Sequence, residues 1–268
     1  MKKLSLFVIT LLFSVSVAAQ EYAQQQVENS PRHHEWVTIN SNDRELHTFV
    51  AYPEVDEKVP VVLVIHENRG LNIWARSFAD QIAENGYIAV APDLISNTQD
   101  GFVKTSDFAT SDDARSALYE LDPDKVTTDL MNTLEYAKSI AAGNGNVIVV
   151  GFCWGGSQSF RFATNAGDMI EQAIVFYGTG PREMEAYQSI EVPVFGFYGG
   201  DDNRVNATIE FSEEAMNEYN KSYEYVIYDG AGHAFMRRGD DPALPSTDSN
   251  KMARNQAWEK LNEILSKF

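Results

Sequence analysis

The segment Gly151-Phe152-Cys153-Trp154-Gly155-Gly156 puts the only cysteine of the 268-residue chain at the centre of a glycine-flanked turn. Residues 146–150 before it read as a buried strand, an apolar β-branched run behind a polar Gly/Asn stretch. Residues 157–163 after it continue as a helix. Strand, sharp turn and helix are the context that holds a side chain out as a nucleophile. Glycines suit the flanks because side chains there collide with neighbouring elements. A thiol at a helix N-terminus is favoured as thiolate by backbone N–H groups and by the helix dipole. The bland alternative is a small buried cysteine beside glycines used for packing.

A cysteine nucleophile needs a base, and the base needs an orienting carboxylate. Gly199-Gly200-Asp201-Asp202-Asn203-Arg204-Val205 directly follows a strand over residues 194–198, and Gly230-Ala231-Gly232-His233 follows a strand ending at Tyr228. Nucleophile, acid, histidine is the chain order of α/β-hydrolases. Both candidate partners lie just past the carboxyl ends of strands, on the edge where the cysteine turn also opens. Residues 20–32 are polar and read as a loose leader. Of the five histidines, His33 and His34 lie with that leader, His47 inside an edge strand and His66 at a strand end. His233 is the one placed as a base, and a solvated loop histidine is its alternative. His33-His34 has no recognisable third metal ligand nearby and reads as solvated.

His66-Glu67-Asn68-Arg69-Gly70 closes the central strand. In this topology the N–H just after that strand pairs with the N–H following the nucleophile to form the oxyanion hole, which assigns Asn68 and Trp154. Glu67 is a charged side chain at the edge of a buried strand; the alternative is a solvated carboxylate or a partner for Arg69.

The elements that must position these groups are legible as alternating patterns. Residues 35–40 and 46–52 alternate as strands around a turn at Ser41-Asn42-Asp43. Val59–Ile65 is continuously apolar, as a strand buried on both faces is. A helix is expected over Ile73–Glu84, a strand over residues 87–91, and an irregular stretch over residues 97–121 as a lid or an insertion over the site. Asp122-Pro123 starts a helix with Val126, Leu130, Leu134, Ala137 and Ala141 on one face. Strands follow at residues 172–177, 192–198 and 223–228, and helices at residues 207–220 and 252–268. Strands alternating with helices imply one α/β domain with a mostly parallel central sheet flanked by helices on both faces.

Residues 1–20 are expected not to belong to that domain. Met1-Lys2-Lys3, a short apolar run over residues 4–17 and Ala18-Ala19-Gln20 have the form of a secretory signal peptide, with an uncleaved anchor as the alternative. The expectation is an exported protein, periplasmic or secreted, with residues 21–268 as a single domain. Losing Lys2 and Lys3 leaves 19 of 21 basic residues against 39 acidic ones, a net charge near −20 instead of −18. Such a surface repels nucleic acid and anionic membranes, and an anionic substrate would need local arginines. A lone cysteine forms no internal disulfide, and its retention in an oxidising compartment favours a functional reason for it.

Gly-x-Cys-x-Gly-Gly, His-Glu-x-x-Gly-Leu, Asp-x-Arg-Val-Asn and Gly-x-x-His-Ala-Phe together resemble the dienelactone hydrolase family, from about Trp36 to Phe268. The resemblance implies an α/β-hydrolase fold and a triad of Cys153, Asp202 and His233, with Asp202 preferred to Asp201 because the family's acid precedes x-x-Val. It implies that Glu67 contacts the resting thiol and takes its proton when substrate repositions the carboxylate. It also implies that Arg237, four residues after the histidine, binds a substrate carboxylate, and Arg69 is a second candidate. Ala234 stands where known members carry a hydroxyl, and no second substrate arginine is found in residues 97–121, which departs from the family's lactone site.

The expected function is hydrolysis of a small ester or lactone, with no cofactor and no metal, by a monomer or small homo-oligomer. A carboxylesterase acting on an acylated carbohydrate is the alternative within enzymes. A non-catalytic small-ligand binding protein and a thiol redox protein lacking a resolving cysteine are alternatives from other classes.

Overall fold

The computed structural model describes residues 21–268, so the expected signal peptide lies outside the described residues. Eight strands form one sheet in the order β1-β2-β4-β3-β5-β6-β7-β8. They are β1 (His33–Ser41), β2 (Arg44–Tyr52), β3 (Val59–Ile65), β4 (Ile88–Pro92), β5 (Gly143–Phe152), β6 (Gln172–Phe176), β7 (Val194–Gly199) and β8 (Tyr223–Tyr228). The described helices are α1 (residues 21–28), α2 (Ile73–Glu84), α3 (Ser111–Tyr119), α4 (Pro123–Ser139), α5 (Trp154–Ala166), α6 (Asn203–Asn206), α7 (Ile209–Glu218), α8 (Phe235–Arg238) and α9 (Ser249–Leu265).

β1 and β2 pair antiparallel through a two-residue turn in which Asn42 and Asp43 both have positive φ, the twist-compatible hairpin geometry that Asn and Asp tolerate. β2 also runs antiparallel to β4, and β3 to β8 are parallel throughout. Every residue of β3 is buried because helices cover both faces. Its alternation sorts the side chains. Val62 and Val64 join the core under α2, α8 and α9, while Val61, Leu63 and Ile65 join the core under α4, α5 and α7. The chain leaves β3 towards β4 and returns past it to β5. The strand order therefore reverses at β3/β5, where the carboxyl ends leave a crevice.

The sequence expectations need correction in five places. The leader is not loose: α1 is helical, Ala23 is fully buried, and Ser30, Arg32 and His34 converge on the buried carboxylate of Asp80 in α2. His33 and His34 are in β1, and His34 is not solvated, since its Nε2 lies 2.8 Å from Asp80 Oδ1. Burial by itself would raise the Asp80 pKa, but the hydrogen bonds from Arg32, His34 and Ser30 outweigh it and hold the carboxyl well below its usual range. His47 is on β2, which β1 covers, so its strand is not the edge. Residues 97–121 are not wholly irregular: Thr110 opens α3 with a capping box to Asp113, and Phe108, Ala114, Ala117 and Leu118 pack on Ile95 as a small core of their own. The helix expected over residues 207–220 is α7, preceded by the separate turn α6, whereas the last helix begins at Ser249 instead of residue 252 because Asp248 caps it.

Candidate active site

The cysteine turn is built by steric necessity. A Cβ on Gly151 would sit 1.9 Å from the Gly155 carbonyl oxygen, and one on Gly155 would sit 2.3 Å from that of His66. β5, the head of α5 and the end of β3 can approach this closely only with hydrogen at those positions. Cys153 itself has φ 55° and ψ −114°, a strained conformation for a side-chain-bearing residue. Its N–H donates to the Phe176 carbonyl at 3.0 Å, which anchors the turn to β6.

The structure brings Cys153, Asp202 and His233 together. His233 Nε2 is 3.1 Å from Cys153 Sγ, and His233 Nδ1 is 2.5 Å from Asp202 Oδ2. Asp202 is buried at the head of α6, where its other oxygen accepts from Val205 N–H, whereas Asp201 is exposed. An imidazole that donates from Nδ1 to a carboxylate presents a bare Nε2 to the thiol, the tautomer needed to take its proton. The backbone N–H groups of Trp154 and Asn68 lie close enough to Sγ to favour the thiolate, as does Arg204. Burial first, and Glu67 second, prevail over them and push the Cys153 thiol up to about 11. The resting thiol is therefore neutral at physiological pH.

Glu67 is buried, but it does not hydrogen-bond to the thiol. Its Oε2 accepts from Arg237 Nε at 2.7 Å and its Oε1 from the Tyr177 hydroxyl at 3.3 Å. The resting thiol contact expected for Glu67 is replaced by an ion pair 170 residues apart in sequence, and Arg237 is correspondingly engaged by the protein's own carboxylate. Arg69 turns the other way, towards Ser111 at 3.1 Å and Asp112 at 3.7 Å in α3, while Asn68 Nδ2 donates to Tyr119 Oη at 3.3 Å. Residues 97–121 thus cover the loop that carries Asn68.

The Glu67 charge opposes thiolate formation, so the expected effect of Glu67→Gln in substrate-free protein is a thiol that ionises more easily. The midpoint of the pH profile for alkylation by iodoacetamide should fall by about one unit or more, since Arg237 then stands uncompensated nearby. An unchanged midpoint would show that the thiol does not sense this carboxylate.

Two residues that sequence reasoning did not assign complete the arrangement. Tyr177 follows β6 with φ 40°, fully buried, its ring edge-on to His233 at 5.1 Å, and it supplies the second donor to Glu67. Its signal in the sequence was weak, since strain at a tyrosine has no local pattern. His66 is wholly buried; its Nδ1 lies 2.8 Å from the Glu67 carbonyl and its Nε2 accepts from Leu94 N–H at 3.3 Å. Those two partners leave one neutral tautomer, protonated at Nδ1, and burial holds the imidazole below its usual pKa. The carbonyl that His66 grips belongs to the same trans peptide as Asn68 N–H, so the grip orients the N–H expected to serve an oxyanion. The ring also stacks on Trp154, whose N–H is the other expected donor.

For His66→Phe we expect kcat to fall by about 10-fold to 100-fold with KM little changed, because the loss falls on charge developed in the transition state. An equal rise in KM would point to general loosening of the pocket instead.

The comparisons with known proteins bear on the family and the fold. The model of the dienelactone hydrolase family matches residues 46–268. A Saccharolobus solfataricus protein named "Putative carboxymethylenebutenolidase" is 30% identical over 261 residues, covering 85% of this chain and 96% of that protein. An Escherichia coli protein of the same name is 28% identical, covering 75% of this chain and 76% of that one. The crystal structure of a "Putative Dienelactone Hydrolase" from Klebsiella pneumoniae superposes with a TM-score of 0.74 at 22% identity, over 88% of this chain and 99% of that one, which speaks to the fold. The family match spans nearly all of the sheet: this chain belongs to the dienelactone hydrolase family and is a hydrolase acting on ester or lactone bonds.

Proposed function

We propose that the enzyme cleaves a small ester or lactone through a thiol ester on Cys153, with His233 and Asp202 completing the triad. The observation that carries this reading is the line of contacts from Cys153 Sγ to His233 Nε2 and from His233 Nδ1 to Asp202. His233 Nε2 removes the thiol proton as Sγ bonds to the carbonyl carbon, and the carbonyl electron pair moves onto oxygen between Asn68 N–H and Trp154 N–H. When the tetrahedral centre collapses, the C–O bond to the leaving group breaks and His233 returns the proton to that oxygen. Water then attacks the thiol ester, His233 takes its proton, and Sγ leaves with that proton restored. No step requires a cofactor. Because the free thiol is held neutral, the nucleophile is formed in the encounter with substrate, which also limits oxidation of an exposed thiolate.

The test is turnover of p-nitrophenyl esters and simple lactones by the wild-type protein and by Cys153→Ala. Loss of turnover in the variant supports the reading, and undiminished turnover overturns it. The N-terminal pattern, Lys2-Lys3 followed by an apolar run and Ala18-Ala19, supports export of the enzyme, which fractionation of the expressing cell would check.

A further inference from the structure

Four arginines lie past the carboxyl ends of strands, at the edge of the sheet that carries the active site, and they divide into two kinds. Arg237 is neutralised by Glu67, and Arg69 is committed to Ser111 and Asp112. Arg182 and Arg204 form no ion pair and no hydrogen bond among the described residues. Both are exposed and line one cavity of about 510 Å³, and among the described residues they are its only charged lining residues. In a chain of net charge −18 this is a local reversal of sign, in a space of the size that accepts small ligands.

The cavity is tied to the cysteine turn by short connections. Thr179, on its wall, donates its N–H to Ser157 Oγ at 2.8 Å, in the first turn of the helix that Cys153 heads. Gly178 beside it packs on Gly156 so closely that a Cβ would fall 2.3 Å from the Gly156 carbonyl carbon. Arg204 is two residues past Asp202, and its charge is felt at Sγ. The cavity belongs to the face of the sheet packed by α5 and α7, where Ser212 of its wall bonds the core tyrosine Tyr187. Arg237 belongs to the face packed by α8 and α9. An anion held in this cavity therefore lies on the other face of the sheet from Arg237.

The lining also has an apolar part. Phe211, which is 36% exposed, and Pro181 offer a surface for hydrocarbon beside the two guanidinium groups. Both guanidinium groups are exposed and can fork onto a carboxylate with charge-assisted hydrogen bonds.

We propose that this cavity is a specificity subsite for an apolar chain or ring ending in a carboxylate, carried by the substrate and bound by Arg182 and Arg204. The assignment rests on the hydrolase reading above for its catalytic meaning, but the binding it describes does not. The substrate class is then a half-ester, or a lactone with an anionic tail directed towards β6 and β7. Arg237 keeps its place on Glu67.

The experiment compares mono-p-nitrophenyl adipate with p-nitrophenyl hexanoate, a pair that differs in the terminal carboxylate, on wild type and on Arg182→Gln/Arg204→Gln. Wild type should prefer the anionic ester. The double variant should lose about 10-fold to 100-fold more of kcat/KM on the anionic ester than on the neutral one, any loss common to both esters reading the Arg204 charge felt at Cys153. Equal losses on both esters, or a preference that survives the double change, overturn the proposal. Calorimetry of adipate binding to Cys153→Ala, with and without the two arginine changes, reads the subsite without catalysis. Arginine-dependent binding by a protein that hydrolyses neither ester would sustain the subsite and overturn the hydrolase mechanism. Binding that ignores the arginines would overturn the subsite whatever the turnover.

Discussion

Replacing Cys153 by alanine is expected to lower kcat/KM on every ester that the wild type hydrolyses by roughly 10⁴-fold or more, the scale seen when a covalent nucleophile is deleted. Among the described residues no other side chain touches His233 Nε2, so the base is left with nothing to deprotonate. The hydroxyl of Ser157 cannot substitute, because it is turned to Thr179 at 3.1 Å. The protein should remain folded. The left-handed backbone at position 153 is imposed by the approach of β3, β5 and α5 around Gly151 and Gly155, and alanine meets the same strain as cysteine there. A melting temperature within a few degrees of wild type, with activity gone, is the expected pair of measurements. Activity within 10-fold of wild type would mean that Sγ is not the attacking atom.

Asp202→Asn should cost nearly as much, about 10³-fold to 10⁴-fold in kcat, for a reason the local geometry supplies. Asp202 serves two partners: Oδ1 faces the Val205 N–H at the start of α6, and Oδ2 faces His233 Nδ1. An asparagine keeps its oxygen for Val205 N–H, because an amide nitrogen there would set donor against donor. Its NH₂ is then turned to His233, which must accept at Nδ1 and carry its proton on Nε2. That tautomer points a proton at the thiol instead of a lone pair. The rate should stay low across the pH range in which wild type works, since the defect is in tautomer and not in ionisation. A loss below 10-fold would show that His233 takes its orientation from elsewhere, the ring of Tyr177 being the nearest alternative.

The parts of this protein legible from sequence are those that short-range rules govern. The apolar run of β3, the hairpin at Asn42-Asp43, the proline-started α4 and the glycines around Cys153 each respond to backbone sterics or to burial along a few neighbouring residues. The order of Cys153, Asp202 and His233, each past the carboxyl end of a strand, follows from the parallel sheet those strands must make.

Tertiary structure decided which charge meets which. Glu67 could have faced the thiol, water or Arg69, and only the fold shows it paired with Arg237 from the far end of the chain. The polar stretch before β1 read as unanchored because its partner, Asp80, is a lone acid in the middle of an amphipathic helix 48 residues from Arg32. His66 looked like a strand end until Leu94, brought alongside from the end of β4, selected its tautomer. Arg182 and Arg204 are indistinguishable in sequence from solvated arginines, and their significance lies in the absence of any acid across the cavity they share. Sequence patterns record periodicity and local sterics, whereas the pairing of long polar side chains depends on which elements the packing brings within about 4 Å, a distance that spacing along the chain does not encode.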